Sequence, residues 1–382
     1  MDSLRLLNGD GTVHSVALGP GLTGERPAQL TSRTVYAAAH VIPVPWAPNV
    51  PGERAVIDWD ETLAFRHHIW SWGLGVADAM DTAQRNMGLD WRATAELIQR
   101  SAAEAKSVGG RIVAGVNTDH ITSGAPTLDQ VVDAYVMQLE TVEESGAEAV
   151  LMASRHLARA ARSPADYERV YDRVLARASR PVVLHWLGEP FDEQLRGYFG
   201  GDAPSAMNVV ACIIERNRDK VAGIKMSLLN SQAEIALRRR LPEGVTMFTG
   251  DDFNYVSLIA GDGKNHSDAL LGAFAAFPPA AALAIARLDQ KDELGYRQIL
   301  QPTEALSRQI FCAPTQFYKT GVAFLSWLNG HQRSFTMVGG LHTGRSLYHL
   351  SEVVRLANAA GVLEQPELAT ERWTAMLEVN GL

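Results

Sequence analysis

The sequence predicts an α/β fold, a (β/α)8 TIM barrel with a C-terminal helical extension, and three observations lead to this prediction. Eight short runs of apolar and β-branched residues alternate with longer amphipathic segments from residue 34 onward. A closed barrel of parallel strands fits that alternation better than a doubly wound sheet. Beyond about residue 278 the strand-like runs stop and only helical periodicity follows. We therefore expect an N-terminal arm at 1–33, a barrel at 34–290, and a helical extension at 291–382 that packs on the barrel.

The elements follow in order along the chain. The arm is rich in Gly and Pro and lacks periodicity, which predicts an extended segment or a hairpin. The predicted barrel strands lie at residues 34–42, 76–80, 111–117, 149–153, 181–186, 221–226, 245–250 and 269–277. The helices between them are predicted at 60–72, 90–108, 128–145, 164–178, 205–218, 231–240 and 253–260. The extension is predicted to hold helices at 279–288, 293–300, 303–311, 316–328, 346–359 and 367–379.

Composition excludes several classes of protein. The chain has 382 residues, 43 acidic and 35 basic, with a formal net charge of −8. Nucleic acid is not expected as a partner, because neutralising phosphates needs a clustered cationic surface. Two cysteines, Cys212 and Cys312, favour a reducing compartment over a disulfide scaffold. The sequence shows no basic leader and no long apolar run, so we expect a cytoplasmic protein without a membrane partner.

Lys225 is the most informative residue on the predicted strands. In a parallel barrel, functional side chains gather at the carboxyl ends of the strands. Lys225 lies on the sixth strand, where alternation must point it either into the barrel or toward the helices. A charge facing the helices is costly, whereas a cavity at the barrel top could hold the amine partly desolvated, with a depressed pKa. Such an amine is a Schiff-base nucleophile; the alternative is an ion pair with a carboxylate such as Asp251.

Other strand-end side chains leave two further hypotheses open. His185, Glu189, Asp251 and His266 could supply imidazole and carboxylate ligands, which would suit a metal-assisted sugar isomerase or hydrolase. Their spacing does not single out a metal site, and we expect no metal and no cofactor. The other hypothesis is a barrel that binds a ligand without turnover.

Four segments of the sequence resemble a known enzyme family. They are Gly223-Ile224-Lys225, the run from Phe248 to Asp252, the strand from Pro181 to Trp186, and the run from Asp81 to Arg85. In these segments, and in the order of its elements over about residues 34 to 330, the chain is similar to the dihydrodipicolinate synthase and N-acetylneuraminate lyase family of class I aldolases. More closely, it resembles an uncharacterised branch of that family, defined as a domain of unknown function.

The resemblance implies roles for individual residues. Lys225 takes the place of the Schiff-base lysine. His185 stands where the family has its proton-shuttling tyrosine, and it would relay the proton together with Thr82. Arg85 or Arg155 would anchor an anionic end of the substrate, although Arg85 could instead form a surface ion pair with Asp81 or Asp90. The remaining expected substrate-binding residues are Asp81, Trp186 and Asp251.

The resemblance also implies a reaction class. The expected substrate is a small carbonyl compound, a keto acid or a sugar acid of carbohydrate metabolism. The expected reaction is cleavage or formation of a carbon–carbon bond, or loss of water, because one iminium intermediate supports all of them. A homo-oligomer, dimeric or tetrameric, is expected because the resembled family forms such assemblies.

Overall fold

The computed structural model describes residues 3–382, and eight of its strands close into a parallel barrel. In chain order the strands are β1 (Ser3–Leu7), β2 (Val13–Ala17), β3 (Val35–Ala38), β4 (Gly75–Asp78), β5 (Ile112–Val116), β6 (Glu148–Leu151), β7 (Val182–Leu187), β8 (Val221–Ser227), β9 (Thr246–Thr249) and β10 (Asp268–Leu271). Strands β3 to β10 follow one another around the barrel, and β10 pairs with β3 to close it. The predicted (β/α)8 barrel is confirmed.

Helices alternate with the barrel strands and then continue alone. The first eight are α1 (Trp59–Ser71), α2 (Trp91–Val108), α3 (Leu128–Ser145), α4 (Arg155–Ala160), α5 (Pro164–Arg177), α6 (Ala203–Arg216), α7 (Ser231–Arg238) and α8 (Tyr255–Ala260). The C-terminal helices are α9 (Pro278–Asp289), α10 (Glu293–Ile310), α11 (Tyr318–Leu328), α12 (Leu347–Ala359) and α13 (Pro366–Val379). Among residues 3–382, none of the helices combines the length and apolar character needed to cross a bilayer.

The structure corrects several predicted boundaries. The eighth strand ends at Leu271 and gives way to a short buried 3-10 helix, Ala273–Ala275, which contacts β3 and α9 rather than continuing the sheet. The two helices predicted on either side of residues 301–302 are one helix, α10, with Pro302 inside it. A proline removes one backbone donor but leaves the chain free to continue where packing holds both halves. The short helix α4, capped by the Ser154 side chain, was not predicted.

The N-terminal arm forms a hairpin that packs on the extension. Strands β1 and β2 pair antiparallel, so of the two predicted forms, an extended segment or a hairpin, the arm adopts the hairpin. The Leu7 amide donates to Ser351 Oγ at 2.8 Å, and the Trp373 indole donates to the Arg5 carbonyl at 2.7 Å. The two ends of the chain therefore stabilise each other.

Side chains of alternate residues fill the interior of the barrel. This inner cluster consists of Tyr36, Ala38, Ala77, Met80, Val113, Val150, Met152, Val183, Phe248 and Leu270. Residues aligned across neighbouring strands of a parallel sheet share a face. Because Val183 and Phe248 point inward, the face of β7 and β8 that carries His185 and Lys225 also points inward.

Candidate active site

A cleft of about 340 Å³ opens at the carboxyl-terminal face of the barrel. Its walls come from the loops after β4, β6 and β7 and from the start of α11. The residues used below that line it are Asp81, Arg85, Arg155, Phe191, Asp192, Tyr318 and Lys319. Barrel enzymes place their active sites at this end.

Lys225 lies inside the barrel, aligned with His185 on one side and Phe248 on the other. It is 8% exposed and does not itself line the cleft. The neighbouring backbone leaves space for it: a side chain at Gly250 would place its Cβ 2.8 Å from Lys225 Cε. The sequence left two orientations open for this amine, and the structure selects the interior one.

Two carboxylates act on the Lys225 amine. Burial lowers the pKa of Lys225, while the negative charges of Asp252 and then Asp81 oppose that shift. Asp252 is itself fully buried, and burial raises its pKa to about 7. Its carboxylate accepts a hydrogen bond from the Ala273 amide at 2.9 Å. Lysine and aspartate therefore lie in one low-dielectric space in which a proton can reside on either.

Asp251 was the predicted partner of the lysine, and this prediction is wrong by one residue. The Asp251 carboxylate accepts from the Phe253 amide at 2.9 Å and from both the backbone and the side chain of Asn254. It holds the turn that follows β9. The negative charge that acts most on Lys225 is that of the next residue, Asp252, whose carboxylate accepts from the Ala273 amide.

His185 is completely buried beside the lysine. Its Nε2 lies 3.2 Å from Ser227 Oγ, and its Nδ1 has no hydrogen-bond partner among residues 3–382. Burial, followed by the charge of Lys225, holds the pKa of His185 well below its usual value. The imidazole is therefore neutral at physiological pH.

Thr82 is hydrogen-bonded to a tyrosine of the C-terminal extension. Thr82 Oγ1 and the Tyr318 hydroxyl are 2.7 Å apart, and both residues are buried. The Tyr318 ring stacks on Phe311 at a centroid distance of 4.4 Å. Sequence reasoning placed Tyr318 on a helix of the extension and had no signal that the residue returns to the barrel mouth.

Lys319 is a second buried lysine, and the sequence analysis did not single it out. Its Nζ lies 3.3 Å from both Met87 Sδ and the Gln316 carbonyl. Burial lowers the pKa of Lys319 to about 8, against the opposing charge of Asp81. No carboxylate lies within ion-pair distance of this amine among residues 3–382. Lys319 therefore offers the cleft a cation that the protein does not neutralise by direct contact.

Arg85 touches the cleft, but its guanidinium is fully occupied. It donates to both carboxylate oxygens of Asp119, to the carbonyls of Ala79 and Gly115, and to Gln138 Oε1. These bonds use all five N–H groups of an arginine side chain. The prediction that Arg85 binds a substrate carboxylate is therefore disfavoured, and its ion pair is with buried Asp119 rather than with surface Asp81 or Asp90.

Arg155, at the start of α4, also lines the cleft. Its Nε donates to Asp192 Oδ2 at 2.6 Å, and about a third of its side chain is exposed, 29%. Four further N–H groups remain for a ligand. Of the two predicted anchoring arginines, Arg155 is the one with donors to spare.

Trp186 does not face the cleft, contrary to the prediction. It lies on the outer face of β7 and packs edge-on against Phe199 at a centroid distance of 5.5 Å. The strand alternation that turns His185 inward turns its neighbour outward, so Trp186 belongs to the layer between sheet and helices.

The four residues proposed as metal ligands do not meet. Glu189 forms an exposed ion pair with Arg196. His266 lies near Asp268 at the start of β10, at the opposite end of the barrel from the cleft. In the described part of the chain, His185, Glu189, Asp251 and His266 do not cluster within ligand distance. The isomerase or hydrolase hypothesis built on these four residues is therefore wrong.

Comparison with known proteins places the chain in a family. A family model described as "Protein of unknown function (DUF993)" matches residues 4–382. The chain belongs to the DUF993 family. No curated protein sequence matches this DUF993 chain.

Solved structures share the fold of the DUF993 chain. Dihydrodipicolinate synthase from Oceanobacillus iheyensis is 13% identical, with a TM-score of 0.64 over 86% of this chain and 96% of that one. The 4-hydroxy-tetrahydrodipicolinate synthase from Methylacidiphilum fumariolicum SolV is 16% identical, with a TM-score of 0.61 over 87% and 99%. Dihydrodipicolinate synthase from Thermotoga maritima is 11% identical, with a TM-score of 0.64 over 86% and 100%. The predicted resemblance, through an uncharacterised branch, is confirmed at the level of the fold.

Proposed function

We propose that this DUF993 protein is a class I lyase whose Lys225 forms a Schiff base with a small carbonyl substrate. The observation that carries the proposal is a buried lysine in the barrel interior, beside a carboxylate that can hold its proton. The fold shared with dihydrodipicolinate synthases is consistent with it. An amine kept out of water loses its charge more readily than an ordinary lysine, and only the neutral amine attacks a carbonyl.

The chemistry follows from the neutral amine. Lys225 Nζ adds to the carbonyl carbon, giving a carbinolamine, which loses water to form an iminium cation. The iminium accepts the electron pair of a bond next to it, either a carbon–carbon bond or a carbon–hydrogen bond whose loss leads to dehydration. The resulting enamine takes up a proton at carbon or expels a hydroxyl group as water, and hydrolysis of the iminium so formed releases the product and returns the amine. Asp252, with its pKa near 7, is the group placed to take the proton that Lys225 must lose.

Two groups are candidates for moving protons on the bound substrate. The first is the pair of hydrogen-bonded hydroxyls of Thr82 and Tyr318, of which Tyr318 lines the cleft. The second is the neutral imidazole of His185, which does not line the cleft and whose Nε2 faces Ser227. We assign the relay to Thr82 and Tyr318, and to His185 the role of a neutral neighbour that keeps the barrel interior free of a second positive charge.

Lys319 and Arg155 are suited to hold an anionic end of the substrate. Both line the cleft, and no carboxylate of the described residues is in contact with Lys319. Charge-assisted bonds to carboxylate or phosphate are about twice as strong as neutral ones. A keto acid or sugar acid satisfies both this cationic wall and the carbonyl that Lys225 requires. Asp81, also in the wall, would accept a hydroxyl hydrogen bond from such a substrate.

Reductive trapping tests the proposal. The full-length protein is incubated with pyruvate, with longer 2-keto acids and with neutral hydroxyacetone, and is then reduced with sodium borohydride. We expect one adduct of substrate mass per chain, located at Lys225 by peptide mass mapping. A barrel that only binds ligand would show saturable binding without an adduct. Absence of an adduct with every probe contradicts the proposal. A homo-oligomer and a cytoplasmic location stay predictions.

The pH dependence of trapping reports on Asp252. Labelling should increase as pH rises through the pKa of Lys225, because only the neutral amine reacts. The Asp252 carboxylate favours the charged amine, so Asp252→Asn should lower the pKa of Lys225 further. The midpoint of the labelling profile should then move to lower pH by about one unit, the scale of a nearby opposite charge. Asp251→Asn is the matched control and should leave the midpoint in place; equal shifts in both variants would contradict the assignment.

A further inference from the structure

Outside the barrel, two histidines and a glutamate converge from three elements. His68 lies in the last turn of α1, His331 follows α11, and Glu364 precedes α13. One ligand atom from each lies within 4.8 Å of the other two, the only such group of three or more His, Cys, Asp or Glu side chains in residues 3–382. The cluster thus links a barrel helix to the C-terminal extension.

The geometry of the cluster points both imidazoles at one carboxylate oxygen. His331 Nε2 lies 2.9 Å and His68 Nε2 3.7 Å from Glu364 Oε1. The two rings are tilted by 36° to each other, with their centroids 3.9 Å apart. His68 Nε2 is buried and has no hydrogen-bond partner in the described chain. An imidazole nitrogen left buried without a partner is costly, and an ion between the three side chains would satisfy it.

The local structure holds these side chains in place without a metal. Asn329 Oδ1 accepts a hydrogen bond from the Glu364 amide at 3.0 Å, and Asn329 Nδ2 donates one to the Val362 carbonyl at 3.1 Å. The His331 amide donates to the Ser326 carbonyl at 2.9 Å. Phe65 packs against both imidazoles. The three side chains are only 14–22% exposed, so the group is sheltered but open to an ion from solvent.

The ligand types suit a divalent cation. A neutral imidazole and a carboxylate are the forms in which these side chains bind metals. The Arg26 guanidinium lies over the Trp72 ring and does not belong to the group.

We propose that His68, His331 and Glu364 form a site for a divalent transition-metal ion, Zn²⁺ by ligand type, that clamps helix α1 to the C-terminal extension. Two imidazole nitrogens and one carboxylate oxygen are a known zinc donor set, with bonds of about 2.0–2.2 Å and a fourth position for water. Neither the barrel cleft nor Lys225 takes part, so the site is independent of the proposed lyase reaction.

Metal titration tests the site directly. Full-length protein stripped with EDTA is titrated with ZnCl₂ against a chromogenic chelator, and bound zinc is counted by elemental analysis. We expect one Zn²⁺ per chain. Mutating a residue that only hydrogen-bonds to a metal-binding side chain typically lowers metal affinity by about 10–100-fold. Because His68→Gln and Glu364→Gln each remove a metal-binding side chain itself, each should weaken zinc binding by at least that much.

His67→Gln supplies the matched control. His67 neighbours His68 on α1, but its Nε2 is bound to Glu104 at 2.8 Å, so the variant should bind zinc like the wild type. Zinc should raise the melting temperature of the wild type and of His67→Gln, and leave that of Glu364→Gln unchanged. Circular dichroism is used to verify that each variant is folded. Substoichiometric zinc in the wild type, or unchanged affinity in folded His68→Gln and Glu364→Gln, would overturn the proposal, whatever the result of trapping at Lys225.

Discussion

Lys225→Met should abolish reductive labelling and reduce any turnover by at least about 10³-fold, because the variant lacks the nucleophile. Methionine has a similar length and no charge, so it fits an interior that is already apolar around Val183 and Phe248. Folding should therefore be preserved, which circular dichroism and thermal unfolding can verify. The measurement is the intact mass after borohydride reduction, with the labelled peptide identified by tandem mass spectrometry.

Two other lysines make the Lys225 experiment decisive. Lys264→Met changes an exposed loop residue and should label like the wild type. Lys319 is the other buried lysine near the cleft, and its lowered pKa gives it some reactivity of its own. If the adduct persists in Lys225→Met and maps to Lys319, the nucleophile is misassigned. A specific loss of the Lys225 adduct supports the lyase.

Tyr318→Phe should uncouple iminium formation from proton transfer. The variant keeps the aromatic stack on Phe311 and removes only the hydroxyl bonded to Thr82. General acid–base catalysis contributes about 10²–10⁴-fold, so exchange of the substrate's α-hydrogens in D₂O should fall by at least about 10²-fold. Borohydride trapping of pyruvate at Lys225 should persist. Exchange is followed by proton NMR with the substrate that traps best.

His185→Gln provides the comparison for the proton relay. Glutamine keeps a polar group near Ser227 without a titratable imidazole. We expect exchange in this variant to stay within about tenfold of the wild type, since the hydroxyl pair remains intact. If His185→Gln loses exchange while Tyr318→Phe retains it, the relay passes through the imidazole, as the resemblance alone implied.

The barrel and the position of its lysine could be predicted from sequence because both depend on local periodicity. Alternating strand-like and helical runs specify the order of elements, and short-range polar patterns specify their ends. Lys225 on the sixth barrel strand follows from that order. The side of the strand on which it lies required the register with His185 and Phe248, which emerges only when neighbouring strands pair.

The details that sequence reasoning misassigned depend on which of two adjacent side chains faces the lysine, or on contacts between residues far apart in the sequence. Asp251 and Asp252 are adjacent in sequence, and only the path of the chain after β9 decides which one points inward. Arg85 was left without its true partner because Asp119 follows a different strand. Tyr318 meets Thr82 across 236 positions of sequence, a contact for which periodicity carries no signal.

The long separation between Thr82 and Tyr318 in the sequence has a consequence during translation of the chain. Contacts between residues far apart along the chain form late, because both segments must exist before they can meet. A nascent chain that has released only its barrel would carry Lys225 but neither Tyr318 nor Lys319. The reactive amine would then lack its hydroxyl relay and its cationic wall until the last quarter of translation. On the proposed mechanism, such an incomplete product lacks the groups assigned to proton transfer and to binding the anionic end of the substrate.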